Sequence, residues 1–188
     1  MRNRAAPFLL TLAMVLSFIT SVIAKDQSST SSEISSACNS FGVVKSQVER
    51  KAPSFSLKTL NGDEVALDGL KGKHILLKFW ATWCPSCLEE LPMMQKFSEG
   101  RRDQLVILLA AIDGEKEKKL QRLVKENKIT LPVLLDPKAK TARSYGVNFV
   151  PVSFFINREG LIVGTLLGER DWVSPKAWSA VTELFDLR

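Results

Sequence analysis

The sequence has few of the residues that build metal and haem sites. It contains three cysteines and a single histidine, His74, among 188 residues. A structural zinc site takes four cysteine or histidine ligands, and the chain has no second Cys-x-x-Cys pair. Covalent haem attachment needs a histidine directly after such a pair, where Leu88 stands instead. We therefore expect no metal site and no cofactor.

A strong charge of one sign is also lacking. The chain carries 26 Lys and Arg against 20 Asp and Glu, a net charge of +6. No basic cluster is interleaved with aromatic residues, which is the pattern of nucleic-acid-binding surfaces, so we expect no nucleic-acid partner. Apolar content of 45% and charged content of 24% are typical of a globular domain.

Residues 1–24 have the pattern of a targeting segment. Arg2 and Arg4 supply the charge that precedes an uncharged apolar run from Phe8 to Ile23, and Ala24 suits a cleavage site. The run is shorter than the ~20 residues of a usual spanning helix, which favours a cleaved signal peptide over a retained signal anchor. Either outcome exports the domain to the periplasm or another extracytoplasmic compartment, where a disulfide persists.

Residues 25–49 are predicted to be a flexible tether. Their first part, residues 25–40, is rich in serine and has no apolar periodicity. Cys38 lies too far beyond the apolar run to be the lipid-carrying cysteine of a lipoprotein signal, so it is either free or paired between chains. The folded domain is then expected to span residues 50–188.

Within that domain, buried strands alternate with helices. A hairpin is predicted around Asn61-Gly62, and Ile75–Trp80 and Leu105–Ile112 are unbroken apolar runs typical of central strands. Asp113 is expected to cap a charged helix. The remaining predicted elements are a strand at 133–135, a helix at 138–144, a hairpin of strands 152–156 and 161–167, and a last helix opened by Ser174 and Pro175. Together they predict an α/β sandwich.

Cys84 and Cys87 stand where the first central strand passes into a helix. Pro85 suits the first helical position, because its missing N–H costs nothing there. Cα atoms three residues apart in a helix lie about 5 Å from each other, inside the roughly 4.4–6.8 Å range that a disulfide tolerates. The unpaired N–H groups at the helix start favour an exposed Cys84 thiolate. The pair is therefore predicted to be a disulfide-exchange centre.

The stretch Phe79-Trp-Ala-Thr-Trp-Cys-Pro-Ser-Cys87 resembles the active site of the thioredoxin superfamily. With Glu90, Pro92 and the later Val150-Pro151, it is most similar to the exported TlpA/ResA-like branch, and the resemblance covers residues 50–188. It implies a thioredoxin-like sandwich with an N-terminal β-hairpin extension, in which Cys84 attacks and Cys87 resolves.

The resemblance also implies roles for the residues around the pair. Pro151 is expected to form a cis bond beside the two sulfurs, and Trp83, Pro85, Val150 and Pro151 are expected to contact substrate. Glu90 matches an acid that the ResA-like branch places beneath the cysteines as a proton acceptor.

Lys78 departs from the family pattern, since thioredoxin carries an aspartate at this position of the strand. A lone buried ammonium is costly. We therefore expect Lys78 either to extend its ammonium outward to solvent or to pair with Glu90.

The function implied is reduction of disulfides in exported proteins, with apocytochrome c in cytochrome c maturation as the leading substrate and a CcdA/DsbD-type membrane thiol transporter as the electron donor. A periplasmic oxidant or disulfide isomerase is the alternative, because Pro85-Ser86 does not fix the redox potential. A metal-binding thioredoxin-like module is a more distant one. A peroxidase is disfavoured, because its threonine would stand three residues before the cysteine, whereas Thr82 stands two before Cys84.

Overall fold

The computed structural model describes residues 36–187. The predicted targeting segment, residues 1–24, and residues 25–35 of the predicted tether lie outside that range. Between residues 36 and 187, no helix is both long and apolar enough to cross a bilayer.

The domain begins earlier than predicted, with helix α1 (Ala37–Phe41) and strand β1 (Val43–Lys51). The Ser36 hydroxyl caps α1 by accepting the Asn39 N–H at 3.1 Å, and Cys38 and Phe41 are buried. The tether and the boundary at residue 50 are therefore wrong from Ser36 onward. A helix of five residues is too short for apolar periodicity to reveal it.

Six strands form the main sheet, in the order β1-β8-β7-β4-β5-β6. Central strand β4 pairs in parallel with β5 and antiparallel with β7, and β1 pairs antiparallel with β8 along one edge. The predicted hairpin is confirmed as a separate antiparallel pair, β2 with β3. The strands after β1 are β2 (Ser56–Lys58), β3 (Glu64–Ala66), β4 (Ile75–Trp80), β5 (Val106–Ala111), β6 (Val133–Leu135), β7 (Val152–Ile156) and β8 (Leu161–Leu167).

Four further helices pack against this sheet: α2 (Pro85–Ser98), α3 (Glu117–Glu126), α4 (Lys140–Ser144) and α5 (Pro175–Phe185), with 3-10 turns at Leu67–Leu70 and Pro137–Ala139. Ser174 caps α5 as predicted, accepting the Lys176 N–H at 3.3 Å. The expected cap of α3 by Asp113 is wrong. The Asp113 carboxylate instead accepts hydrogen bonds from the backbone N–H and the hydroxyl of Thr82.

Successive side chains of β4 point to opposite faces of the sheet, and the core is divided into two apolar clusters, one on each face. Leu76 and Trp80 pack with residues of α1, α2 and α5, whereas Leu77 and Phe79 pack with the hairpin and with Tyr145 beyond α4. Lys78 falls between Leu76 and Trp80 on the first of these faces. A charged side chain is thus directed into the cluster that also contains both active-site cysteines.

Candidate active site

Cys84 and Cys87 form a disulfide at the start of α2, with their Cα atoms 5.3 Å apart. Cys84 is the N-cap residue, and its Sγ accepts the backbone N–H of Cys87 at 3.2 Å. Pro85 occupies the first turn, as its fixed φ favours. The sulfur of Cys84 therefore lies among the unpaired N–H groups at the positive end of the helix dipole, which stabilise a thiolate.

Both cysteines are almost fully covered. Cys84 is 4% exposed and Cys87 is 0% exposed, so the expectation of an exposed Cys84 is wrong for the oxidised protein. The loop that ends at Pro151 lies against Cys84, whose Sγ is 3.9 Å from the Val150 carbonyl oxygen. Access to the disulfide therefore depends on the residues around this loop.

The Val150–Pro151 peptide bond is cis, as the resemblance implies. The Pro151 carbonyl accepts the Gly168 N–H at 2.9 Å, which fastens the loop to the end of β8. A large aromatic residue directly precedes Cys84, and another directly precedes Val150. Trp83, before Cys84, is 58% exposed, and Phe149, before Val150, is 53% exposed. They leave apolar surface uncovered on residues adjacent in sequence to Cys84 and Val150.

A buried ion pair lies behind the disulfide. The Lys78 ammonium donates to Glu90 Oε2 at 2.6 Å, and both side chains are at most 2% exposed. Lys78 was expected either to extend to solvent or to pair with Glu90, and the structure shows the pairing. Burial lowers the pKa of Lys78, while the adjacent Glu90 carboxylate opposes that shift. Removing either partner would leave the other as an uncompensated buried charge.

Two further donors converge on the other oxygen of Glu90. The indole Nε1 of Trp172 donates to Oε1 at 2.7 Å, and the backbone N–H of Arg170 donates to it at 2.9 Å. Together with Lys78, three donors hold this carboxylate in place. Both donors to Oε1 lie in the segment between β8 and α5, far from the Cys-x-x-Cys motif in sequence.

The same segment ties the site to α1. The Arg170 guanidinium donates to the Phe41 carbonyl at 2.9 Å, and the Phe41 ring meets Trp172 edge-on with centroids 5.2 Å apart. Gly42 has φ 86°, and a Cβ there would lie 2.5 Å from an Arg170 nitrogen. The N-terminal segment thus packs on the residues that hold Glu90.

Sequence reasoning missed Trp172, Arg170, Phe149 and the hydrogen bonds of Asp113 to Thr82. The position of Asp113, directly after a buried strand parallel to β4, was a usable signal, because the carboxyl ends of parallel strands share one edge of a sheet. Trp172 and Arg170 belong to no motif. Among residues 36–187, no group of three or more His, Cys, Asp or Glu side chains is arranged to hold a metal ion.

Comparison with known proteins agrees with this geometry. The sequence model of the AhpC/TSA family matches residues 48–165. The thiol-disulfide oxidoreductase ResA of Bacillus cereus is 33% identical over 126 residues, 67% of this chain and 73% of the relative. The sporulation thiol-disulfide oxidoreductase A of Bacillus subtilis is 31% identical over 140 residues, 71% of this chain and 84% of the relative.

Solved structures give the same result. The exposed lipoprotein thioredoxin Etrx1 of Streptococcus pneumoniae superposes with a TM-score of 0.61 at 32% identity, covering 72% of this chain and all of that one. The thioredoxin-like fold and the TlpA/ResA-like resemblance predicted from the sequence are confirmed. The chain belongs to the AhpC/TSA family, and within it to the thioredoxin-like proteins that resemble ResA.

Proposed function

We propose that the protein is an extracytoplasmic thiol–disulfide oxidoreductase that reduces disulfides in exported proteins. The observation that carries the proposal is the Cys84–Cys87 disulfide at the N-terminus of α2, with Cys84 Sγ against the Val150 carbonyl. Export is supported by the predicted targeting segment, residues 1–24, and by the similarity to the exposed lipoprotein thioredoxin Etrx1. A redox pair on a helix start is the arrangement from which a thiolate attacks a disulfide.

The reaction begins with the reduced protein. The Cys84 thiolate, stabilised by the Cys87 N–H and the helix start, attacks one sulfur of the substrate disulfide and displaces the other sulfur as a thiolate. Cys84 is then joined to the substrate in a mixed disulfide. The Cys87 thiolate attacks Cys84 Sγ, which closes the Cys84–Cys87 bond and releases the second substrate sulfur. Two electrons pass from the protein to the substrate.

Substrate contact is assigned to the residues around the disulfide. Trp83 and Phe149 offer exposed apolar surface, Pro85 is also exposed, and Val150 and the buried Pro151 form the loop that lies against Cys84. A polypeptide laid across this surface brings its disulfide to Cys84. Glu90, one helical turn beyond Cys87, is assigned as the group that accepts the Cys87 proton before the second attack.

By similarity to ResA, the proposed pathway is cytochrome c maturation, with apocytochrome c as substrate. An oxidised Cys84–Cys87 pair needs a donor of two electrons before each turnover. A membrane thiol transporter of the CcdA/DsbD type is the proposed donor, because the reducing equivalents must cross the membrane to an exported domain.

Trapping the mixed disulfide tests the proposal. In a Cys87→Ser variant the reaction stops after the first attack, so Cys84 stays bonded to its partners and mass spectrometry identifies them. We expect exported disulfide proteins, apocytochromes among them, together with one membrane thiol protein. The matched control, Cys84→Ser with Cys87→Ser, captures none of them.

The other outcomes decide against parts of the proposal. Recovery of newly secreted, reduced proteins as the only partners would favour an oxidant over a reductase. A trap that captures nothing from the intact extracytoplasmic fraction would refute disulfide exchange itself.

A further inference from the structure

The Lys78–Glu90 ion pair is more than a buried contact, because of where it lies relative to Cys87. Cys87 and Glu90 are three residues apart in α2, so their side chains share one face of the helix with Cβ atoms about 5–6 Å apart. Lys78 reaches the same carboxylate from β4 at 2.6 Å. A cation, an anion and the resolving thiol therefore lie together in the apolar cluster between sheet and helix.

We infer that Lys78 is a positioning residue of the exchange reaction: its ammonium is the shared counter-ion that keeps the buried site neutral while a proton passes from Cys87 to Glu90. This inference rests on the proposed function and concerns the second attack, in which Cys87 closes the disulfide. It assigns a role to a residue that has no place in the Cys-x-x-Cys motif.

The hydrogen bonds of Glu90 indicate where the proton goes. A carboxylate has about four lone-pair positions. Oε1 accepts two donors, from Trp172 and Arg170, whereas Oε2 accepts only Lys78 among the described residues. The remaining acceptor position is therefore on Oε2, the oxygen already next to the ammonium.

The charge balance explains why a lysine is useful here. Before transfer the site holds Lys78 as a cation, Glu90 as an anion and Cys87 as a neutral thiol. After transfer the Cys87 S–H bond is broken, an O–H bond is formed on Glu90, and the negative charge is on the Cys87 sulfur. The net charge is zero in both states, so the desolvation cost of a lone buried ion is avoided.

The surroundings keep the ammonium in place while the charge moves. Lys78 Nζ lies 5.9 Å from the centroid of the Trp172 ring, within the range of a cation–π contact. Ser153 lies directly opposite Lys78 on β7, and its buried hydroxyl has no hydrogen-bond partner among the described residues. Lys78 therefore has a second polar neighbour on its own face of the sheet when Glu90 is protonated.

The other charged groups of the neighbouring elements are engaged elsewhere. The Arg170 guanidinium, from the segment after β8, binds the Phe41 and Glu169 carbonyls. Cys38 on α1 donates its N–H to Glu183 on α5, and Glu183 pairs with Lys45. Lys78 is thus the side-chain cation that contacts Glu90 in the described part of the chain.

The test follows the two attacks separately by stopped flow. Reduced protein is mixed with the aromatic disulfide dithiobis(nitrobenzoic acid); the first released thiolate reports attack by Cys84 and the second reports attack by Cys87. Lys78→Gln keeps a hydrogen-bond donor but removes the charge, and Lys78→Arg restores the charge. Lys96→Gln makes the same change at an exposed position of α2 and serves as the control.

We expect Lys78→Gln to raise the pH at which the second phase reaches half its maximal rate by about one to three units, since a close opposite charge shifts a titration by that amount. The first phase shifts less, because Cys84 lies six residues before Glu90. Lys78→Arg returns the second phase toward the wild-type profile, and Lys96→Gln leaves it unchanged.

Three results would overturn the inference. They are an unshifted second phase in a folded Lys78→Gln protein, a Lys78→Arg profile as displaced as that of Lys78→Gln, and an equal shift in Lys96→Gln. Near-ultraviolet circular dichroism verifies folding, and Lys78→Met removes the same charge if Lys78→Gln does not fold. Failure of the proposed function is read separately, from a Cys87→Ser trap that captures no exported partner, because any reactive dithiol reduces the aromatic reagent.

Discussion

Replacing Phe41 by alanine tests whether residues 36–51 belong to the folded domain. The Phe41 side chain is 4% exposed, and its ring makes a T-shaped contact with the Trp172 ring, with centroids 5.2 Å apart. Truncating a buried phenylalanine to alanine costs about 3–5 kcal/mol. The whole free energy of unfolding of a domain is about 5–15 kcal/mol. We therefore expect Phe41→Ala to remove a large share of the stability.

The assay is urea unfolding of the full chain, followed by tryptophan fluorescence. Val48→Ala is the matched control, because Val48 lies on β1 and is 75% exposed; its effect should stay within about 0.5 kcal/mol. If residues 36–51 were a flexible tether, neither substitution would change the free energy of unfolding. A Phe41→Ala cost no larger than that of Val48→Ala would refute the placement of this segment in the core.

Three further predictions concern buried ionisable groups. Glu90→Gln should lower the free energy of unfolding by about 3–5 kcal/mol, because it leaves Lys78 unpaired. Adding Lys78→Met should recover part of that loss. If the two losses simply add in urea titrations, the residues are not a coupled pair. Burial and the charge of Arg158 lower the pKa of His74 from its usual 6.5, so the unfolded chain binds the proton first and stability falls as the pH drops below about 6.5. His74→Phe should flatten this dependence in urea titrations across that range; an equally steep loss in the variant would exclude His74 as its source. Burial, aided by the negative charge of Glu183, raises the pKa of Cys38 to about 11, so iodoacetamide should modify Cys38 only after unfolding, and mass spectrometry of the native protein showing rapid labelling would contradict its burial.

The parts of the fold that sequence predicted are those with strong local signals. Asn61-Gly62 fits a turn that needs positive φ, and Gly62 has φ 93°. The apolar run Ile75–Trp80 is long enough to fill a central strand, and Pro85 marks the helix start that presents the cysteines. Each of these signals acts within a few residues, which is why the position of the Cys84–Cys87 disulfide was predictable.

The parts that sequence missed depend on contacts between distant residues. Nothing near Trp172 indicates that its indole binds Glu90, 82 residues earlier. The short helix α1 folds because Phe41 packs on Trp172, and its serine-rich surroundings resemble a linker. The Asp113 carboxylate could accept a hydrogen bond either at a helix N-terminus or from the Thr82 N–H. The Thr82 N–H is buried, so leaving it without a partner costs more than leaving a helix start exposed to water.

Transfer of electrons from Cys84 and Cys87 to a protein disulfide is the central claim. The direct measurement mixes the fully reduced protein with a folded substrate that has one accessible disulfide, and counts free substrate thiols by mass spectrometry after acid quenching. We predict that one substrate disulfide is reduced for each Cys84–Cys87 bond formed, that Cys84→Ser abolishes the reaction, and that Cys87→Ser halts it at a mixed disulfide. Reduced wild-type protein that leaves the substrate disulfide intact, or Cys84→Ser protein that still reduces it, would contradict the account.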